Sequence, residues 1–198
     1  MSGSDRRSRR EFLRGWFRPG ELTGQRQPPR PDPETLPGFL RPPGALEETA
    51  FRATCERCHA CAEACPHDVI LFLGPAYGEG LDGTPSILPR DGPCRMCDGL
   101  PCAAACPSGA LRVVEREAIR MGTAVIDRAR CWAAQGQPCD YCLAACPLGE
   151  KAIVAVGGVP RIRAEGCTGC GLCSHICPTT PRAIRIDPGH GTGPHPPV

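Results

Sequence analysis

Cys55-Glu-Arg-Cys58-His-Ala-Cys61-Ala-Glu-Ala-Cys65-Pro66 sets four cysteines at the spacing C-x2-C-x2-C-x3-C and closes on a proline. The same spacing returns at Cys167-Thr-Gly-Cys170-Gly-Leu-Cys173-Ser-His-Ile-Cys177-Pro178. Between these two runs lie Cys94-Arg-Met-Cys97-Asp-Gly-Leu-Pro-Cys102-Ala-Ala-Ala-Cys106-Pro107 and Cys131-Trp-Ala-Ala-Gln-Gly-Gln-Pro-Cys139-Asp-Tyr-Cys142-Leu-Ala-Ala-Cys146-Pro147. Each inner group keeps the final x3-C-P and inserts a Gly/Pro loop between its earlier cysteines, which changes the loop without removing a thiol. The groups start 39, 37 and 36 residues apart, so the chain is a fourfold repeat. All sixteen cysteines fall in these groups.

Three chemistries use cysteine at this density. Disulfides need an oxidising compartment, and cysteines two residues apart in every group are poorly placed for ordinary bridges. Zinc prefers two separated C-x2-C pairs around a tetrahedron, and a fourfold C-P ending has no use there. The run C-x2-C-x2-C-x3-C-P is that of bacterial [4Fe-4S] proteins, in which three thiolates on a tight loop grip one cluster and the fourth reaches to another. The proline is expected to sit at the first position of a following helical turn, where no backbone donor is needed. Four complete sets predict four [4Fe-4S] clusters, with Cys55, Cys58, Cys61, Cys65, Cys94, Cys97, Cys102, Cys106, Cys131, Cys139, Cys142, Cys146, Cys167, Cys170, Cys173 and Cys177 as iron ligands. Small residues such as Ala62, Ala64, Gly169 and Gly171 let backbone N–H groups approach the cluster sulfurs. With four thiolates per group, His59, His67 and His175 are expected to hydrogen-bond or shield a cluster, and Trp132 and Tyr141 to pack over the third. No iron is left open to a substrate, so the sequence predicts an electron carrier or accessory protein and not an enzyme.

Composition agrees that metal replaces a large core. Of 198 residues, 24 are Pro and 24 Gly, only nine are aromatic, and the mean hydropathy is −0.22. Few large side chains are available to offset the entropy of ordering so much irregular backbone. No stretch approaches the length of apolar sequence that spans a bilayer, and a net charge of +2 does not point to nucleic acid. Residues 1-44 carry nine Arg against five acidic residues and eight Pro, an extended arm. Residues 188-198 read as a disordered tail, whose His190 and His195 lack a third ligand nearby. Within 45-187 each repeat reads as strand, cysteine loop, short helical turn, strand. The strand runs are 85-88, 123-126 and 160-163 ahead of the cysteines, and 69-72, 111-114, 152-155 and 183-186 behind them, with Ala45 to Ala53 as a short leading helix. The fold class is α+β.

Over residues 50-187 the order of the groups, the segment Cys97-Asp-Gly-Leu-Pro-Cys102, the seven-residue gap of the third group and the ending from Pro178 to Ile186 resemble the NapF/NapG/MauM group of ferredoxin-type proteins. These are small four-cluster polypeptides associated with periplasmic nitrate reductase and methylamine dehydrogenase systems. The resemblance implies a redox partner, a molybdenum reductase of the DMSO-reductase type or a quinol-linked subunit. Two functions fit it. One is electron relay through four clusters; the alternative is a cytoplasmic accessory protein that assists maturation of an apo-reductase before export.

The arm contains Ser8-Arg9-Arg10-Glu11-Phe12-Leu13-Arg14, close to a twin-arginine export motif, but Gly15-Trp16-Phe17-Arg18-Pro19 supplies no apolar export segment. It therefore reads as a docking segment, with Arg9, Arg10, Phe12, Leu13, Trp16 and Phe17 facing a partner. The expected location is cytoplasmic, peripheral at the inner membrane, with a periplasmic route through a partner or an atypical twin-arginine signal as the alternative.

Two-cluster units exchange their fourth cysteines. The first and fourth groups share one spacing and the inner two share an insertion, so nested pairing is expected, first with fourth and second with third. Similar iron-sulfur subunits of the DMSO reductase family pair the same way. The unit at about 85-158 would then be inserted in the other. Sequential pairing stays open, because neighbouring repeats usually lie against each other.

Overall fold

The computed structural model describes residues 38-188. No helix there exceeds seven residues and no sheet exceeds two strands, as a chain so rich in Pro and Gly dictates. Helix α1 (Glu48–Thr54) begins where Glu47 accepts a hydrogen bond from the Thr49 amide at 3.0 Å, and its buried face is Phe51. The leading helix thus starts three residues later than the pattern suggests. Four shorter helices follow, one per cysteine group: α2 (Ala60–Glu63), α3 (Pro101–Ala104), α4 (Tyr141–Ala145) and α5 (Leu172–Ile176).

Six strands form three antiparallel pairs. β1 (Leu71–Phe72) pairs with β2 (Pro85–Ser86) between the first and second cysteine groups. β4 (Ile153–Val156) pairs with β5 (Val159–Ile162) between the third and fourth, turning through Gly157 and Gly158. Both glycines have positive φ, 59° and 78°, the backbone a two-residue hairpin of type I′ requires. β3 (Gly122–Ile126) runs ahead of the third group and pairs with β6 (Ile184–Pro188) behind the fourth, Ala124 opposite Ile186. In the first half the same closure is a single bridge, Ala45 with Leu111, so of the strand expected at 111-114 only its first residue pairs.

Each half therefore has an inner hairpin between its two cysteine groups and an outer pairing that joins its ends. That layout makes two successive units, first group with second and third with fourth. It corrects the nested arrangement and the insertion at about 85-158. The reason is local: a hairpin of fewer than twenty residues brings neighbouring groups together at little loop-closure cost, whereas nesting would close loops several times longer.

The boundary expected at residue 44 also moves. Phe39, Leu40 and Arg41 are buried, and Leu40 exchanges backbone hydrogen bonds with Ile87 at 2.9 and 2.8 Å, so residues 38-44 belong to the folded body. Arg41 sits in it as a complete fork. Its guanidinium donates to both carboxylate oxygens of Glu48 at 2.8 and 2.6 Å, to Thr84 Oγ1 at 2.9 Å and to the Pro85 carbonyl at 2.8 Å, and lies over the rings of Phe39 and Phe51. The docking segment from Arg9 to Phe17 and the tail beyond Pro188 lie outside the described residues.

The larger apolar core belongs mostly to the first unit and centres on Leu40, Phe51, Ile70, Ile87, Met96 and Ile119. Cys61, Cys65, Cys94, Cys102 and Cys170 are among its buried members. The second unit has smaller centres around Ala124, Ile153 and Ile184 and around Cys131 and Ala133.

Candidate iron-sulfur centres

In every group the short helix carries the third cysteine and stops before the fourth: Cys61, Cys102, Cys142 and Cys173 are helical, and Cys65, Cys106, Cys146 and Cys177 are not. On an unbroken helix residues four apart would share a face. The proline prevents this, because the residue before a proline is pushed out of helical geometry. Cys146 (φ −74°, ψ 117°) and Cys177 (φ −58°, ψ 122°) are extended. The C-P dipeptide thus ends a helix, where the sequence suggested that it begins one, and it turns the fourth thiol away from the other three.

The fourth thiol of each group joins its neighbour's three. Cys106 lines one cavity with Cys55, Cys58 and Cys61, beside Phe51 and Leu111. Cys65 lines a second with Cys94, Cys97 and Cys102, beside Ile70 and Ile87. Cys146 lines another with Cys167, Cys170 and Cys173, beside Ala124 and Ile153. Cys177 lies against Cys131 and Cys139 around Ala133 and Ala183, and Cys142 is close enough to Cys131 and Cys139 to feel both charges. Numbered by the group that supplies three thiols, these are sites 1, 2, 4 and 3. The expected ligand sets that placed Cys177 with the first group and Cys106 with the third are corrected accordingly.

Four thiolates on one zinc ion would stand about 3.8 Å apart, from a metal–sulfur distance of ~2.3 Å in a tetrahedron. Among the described residues no three Cys, His, Asp or Glu side chains converge in the way a single ion requires. Thiols spread around a cavity suit a multi-atom cluster instead. Their surroundings suit thiolate ligands: the Met96 amide donates to Cys94 Sγ at 3.4 Å, Leu111 to Cys106 Sγ at 3.4 Å and Ala124 to Cys167 Sγ at 3.5 Å, and Thr179 Oγ1 lies 3.3 Å from Cys177 Sγ.

Burial, reinforced by neighbouring sulfurs, pushes the thiols of Cys61, Cys102 and Cys142 up to about 11 and that of Cys94 to about 12, with Cys170 and Cys173 also raised. Burial pushes Cys106 the same way, but hydrogen bonds from Leu111, Ser108, Gly109 and Ala110 outweigh it and the net shift is downward. Raised thiols mean that cluster loading must displace protons from buried sulfur.

Of the accessory residues, His59 stacks on Phe72 with ring centroids 3.9 Å apart beside site 1, and His67 borders site 2. His175 instead approaches the Arg90 carbonyl at 3.4 Å. Trp132 and Tyr141, expected to cover the third cluster, are exposed at 37% and 52%. Cys58 is the one exposed cysteine of the sixteen.

Two successive units, each with two cysteine groups exchanging their fourth thiols, define a ferredoxin-type [4Fe-4S] protein. Residues 123-178 match the family model described as a 4Fe-4S dicluster domain, a span holding the third and fourth groups together. The chain is 40% identical over 163 residues to the ferredoxin-type protein NapG of Escherichia coli K12, covering 75% of this chain and 70% of that one. It is 40% identical over 167 residues to the methylamine utilization ferredoxin-type protein MauM of Methylophilus methylotrophus (79% and 74%), and 28% identical over 144 residues to the ferredoxin-type protein NapF of E. coli K12 (71% and 81%). No solved structure matches. The chain belongs to the NapG/MauM family of ferredoxin-type iron-sulfur proteins.

Proposed function

We propose that the protein holds four [4Fe-4S] clusters, with all sixteen cysteines as ligands, and relays single electrons to or from a redox partner. The observation that carries this reading is the division of the thiols into four sets of four with none left over. Such clusters supply one-electron chemistry over roughly −700 to +450 mV, tuned by charge, hydrogen bonding and exposure. The chain's part is to hold thiolates in apolar cavities, to aim the amides of Met96, Leu111 and Ala124 at sulfur, and to leave one ligand, Cys58, at the surface. The partner we propose is a protein of a nitrate reductase or methylamine-oxidising system, because the relatives are a NapG and a methylamine utilization protein.

Anaerobically prepared protein should contain about sixteen iron atoms per chain with equal sulfide. A reproducible value near half of that would overturn the four-cluster reading. The ligand sets are tested separately by single Cys→Ala variants. Cys106→Ala should remove the same iron and the same paramagnetic signal as Cys55→Ala, whereas Cys177→Ala should match Cys131→Ala. If Cys177→Ala matched Cys55→Ala instead, the nested arrangement would be restored.

A further inference from the structure

Sites 2 and 4 belong to different units, yet their ligands touch. The Cys94 amide donates to the Cys170 carbonyl at 2.9 Å, and the two buried thiols each lie within the larger apolar core. Two residues away on each side, Thr168 Oγ1 donates to Met96 Sδ at 3.1 Å, with both residues 1% exposed. The Met121 amide, just ahead of β3, seats Thr168 within the second unit by donating to its carbonyl at 2.9 Å.

The approach depends on residue 171 having no side chain. Gly171 has φ +88°, and a β-carbon there would collide with the ring of Pro89, which follows β2 in the first unit. Met96 itself holds a positive φ of 50°, a costly conformation for a side-chain-bearing residue, and it places the thioether against Thr168. No comparable bond joins a ligand of the first unit to a ligand of site 3 among the described residues.

We propose that Met96, Thr168 and Gly171 are positioning residues that hold sites 2 and 4 at the spacing where electrons cross between the two units, so that the four sites form one line in the order 1, 2, 4, 3. This rests on the relay reading of the previous section. In the crossing step one site is oxidised by one electron and the other is reduced by one, with no bond made or broken and no proton required. Exposed Cys58 at site 1 and exposed Trp132 and Tyr141 beside ligands of site 3 then mark the two ends.

The test uses the iron-loaded full chain carrying a tethered photoreductant at one end, on Glu63→Cys beside site 1 or on Gln137→Cys beside site 3, re-reduced by an excess of a sacrificial amine donor under continuous light, at a dilution where exchange between molecules is slow. From either end the wild-type junction should fill all four sites in one fast phase. Gly171→Ala, and Met96→Ala as a second variant that leaves residue 171 alone, should lose half of that fast amplitude, the other half appearing slowly. Hydrogen exchange provides a readout independent of electron flow: the Cys94 amide should be protected in the parent and lose protection in Gly171→Ala. Iron content separates the two readings, since a chain without four clusters fails the relay itself. Sixteen irons with only half of the sites filled quickly in the unsubstituted junction would overturn the crossing. So would variants that keep sixteen irons and the full fast amplitude.

Discussion

Removing iron from the protein with a chelator under oxidising conditions is expected to abolish its cooperative melt and most of its regular structure over residues 38-188. The elements are too small to stand alone. Isolated helices shorter than about 12–15 residues are marginal in water, and the longest here has seven. A lone two-stranded hairpin is marginal as well, and every sheet here is two-stranded. What joins these pieces is sulfur: each four-thiol site draws on two cysteine groups separated by a hairpin. With iron removed, the space that the four thiols surround becomes void or water against apolar walls, and metal-binding free energy that had served as folding free energy is lost. Circular dichroism and calorimetry on stripped protein measure the effect. A stripped sample that kept a cooperative transition would show that the apolar centre around Leu40, Phe51 and Ile87 suffices without metal.

Arg41→Ala is expected to produce the largest loss among substitutions away from the cysteines, about 3 kcal/mol, because it leaves the part-buried Glu48 carboxylate uncompensated. The Arg41 and Glu48 side chains are 4% and 14% exposed and joined at 2.6 Å. The same substitution removes the donors to Thr84 and the Pro85 carbonyl and the cation over two aromatic rings. In a body of this size the loss corresponds to a fall of roughly 10 °C in the melting midpoint of the iron-loaded protein. Arg41→Lys should recover only part of it, since an ammonium cannot reproduce the bidentate fork. A midpoint within about 2 °C of the parent would place the pair with ordinary surface ion pairs, whose worth is ~1 kcal/mol or less. Such a result would also detach residues 38-44 from the stable body.

The cysteine spacing alone determined the chemistry and the grain of the fold. Four complete sets of cysteines are legible in the spacing, but the C-P endings suggest the start of a helical turn, whereas in the structure they end one, because the residue before a proline is pushed out of helical geometry. The strand runs at 85-88, 123-126, 152-155, 160-163 and 183-186 foretold most of the pairing elements, since alternation and bounding Gly/Pro are local signals. Which groups share thiols was not local. Likeness of spacing between the first and fourth groups suggested nesting, but spacing records the shape of each loop, whereas pairing is decided by which groups the hairpins bring together.

Arg41 was read as one more charge of a basic arm, because nothing in Gly38-Phe-Leu-Arg41-Pro-Pro43 announces that Glu48, Thr84 and Phe51 will converge on it. The seam at Met96, Thr168 and Gly171 is equally silent. A threonine and a methionine 72 positions apart in the chain carry no mutual signal, and their contact exists only once two units have folded and met. Which residues are candidate ligands follows from the spacing within each cysteine group. The order in which four sites stand follows from packing between units, which only the tertiary structure decides.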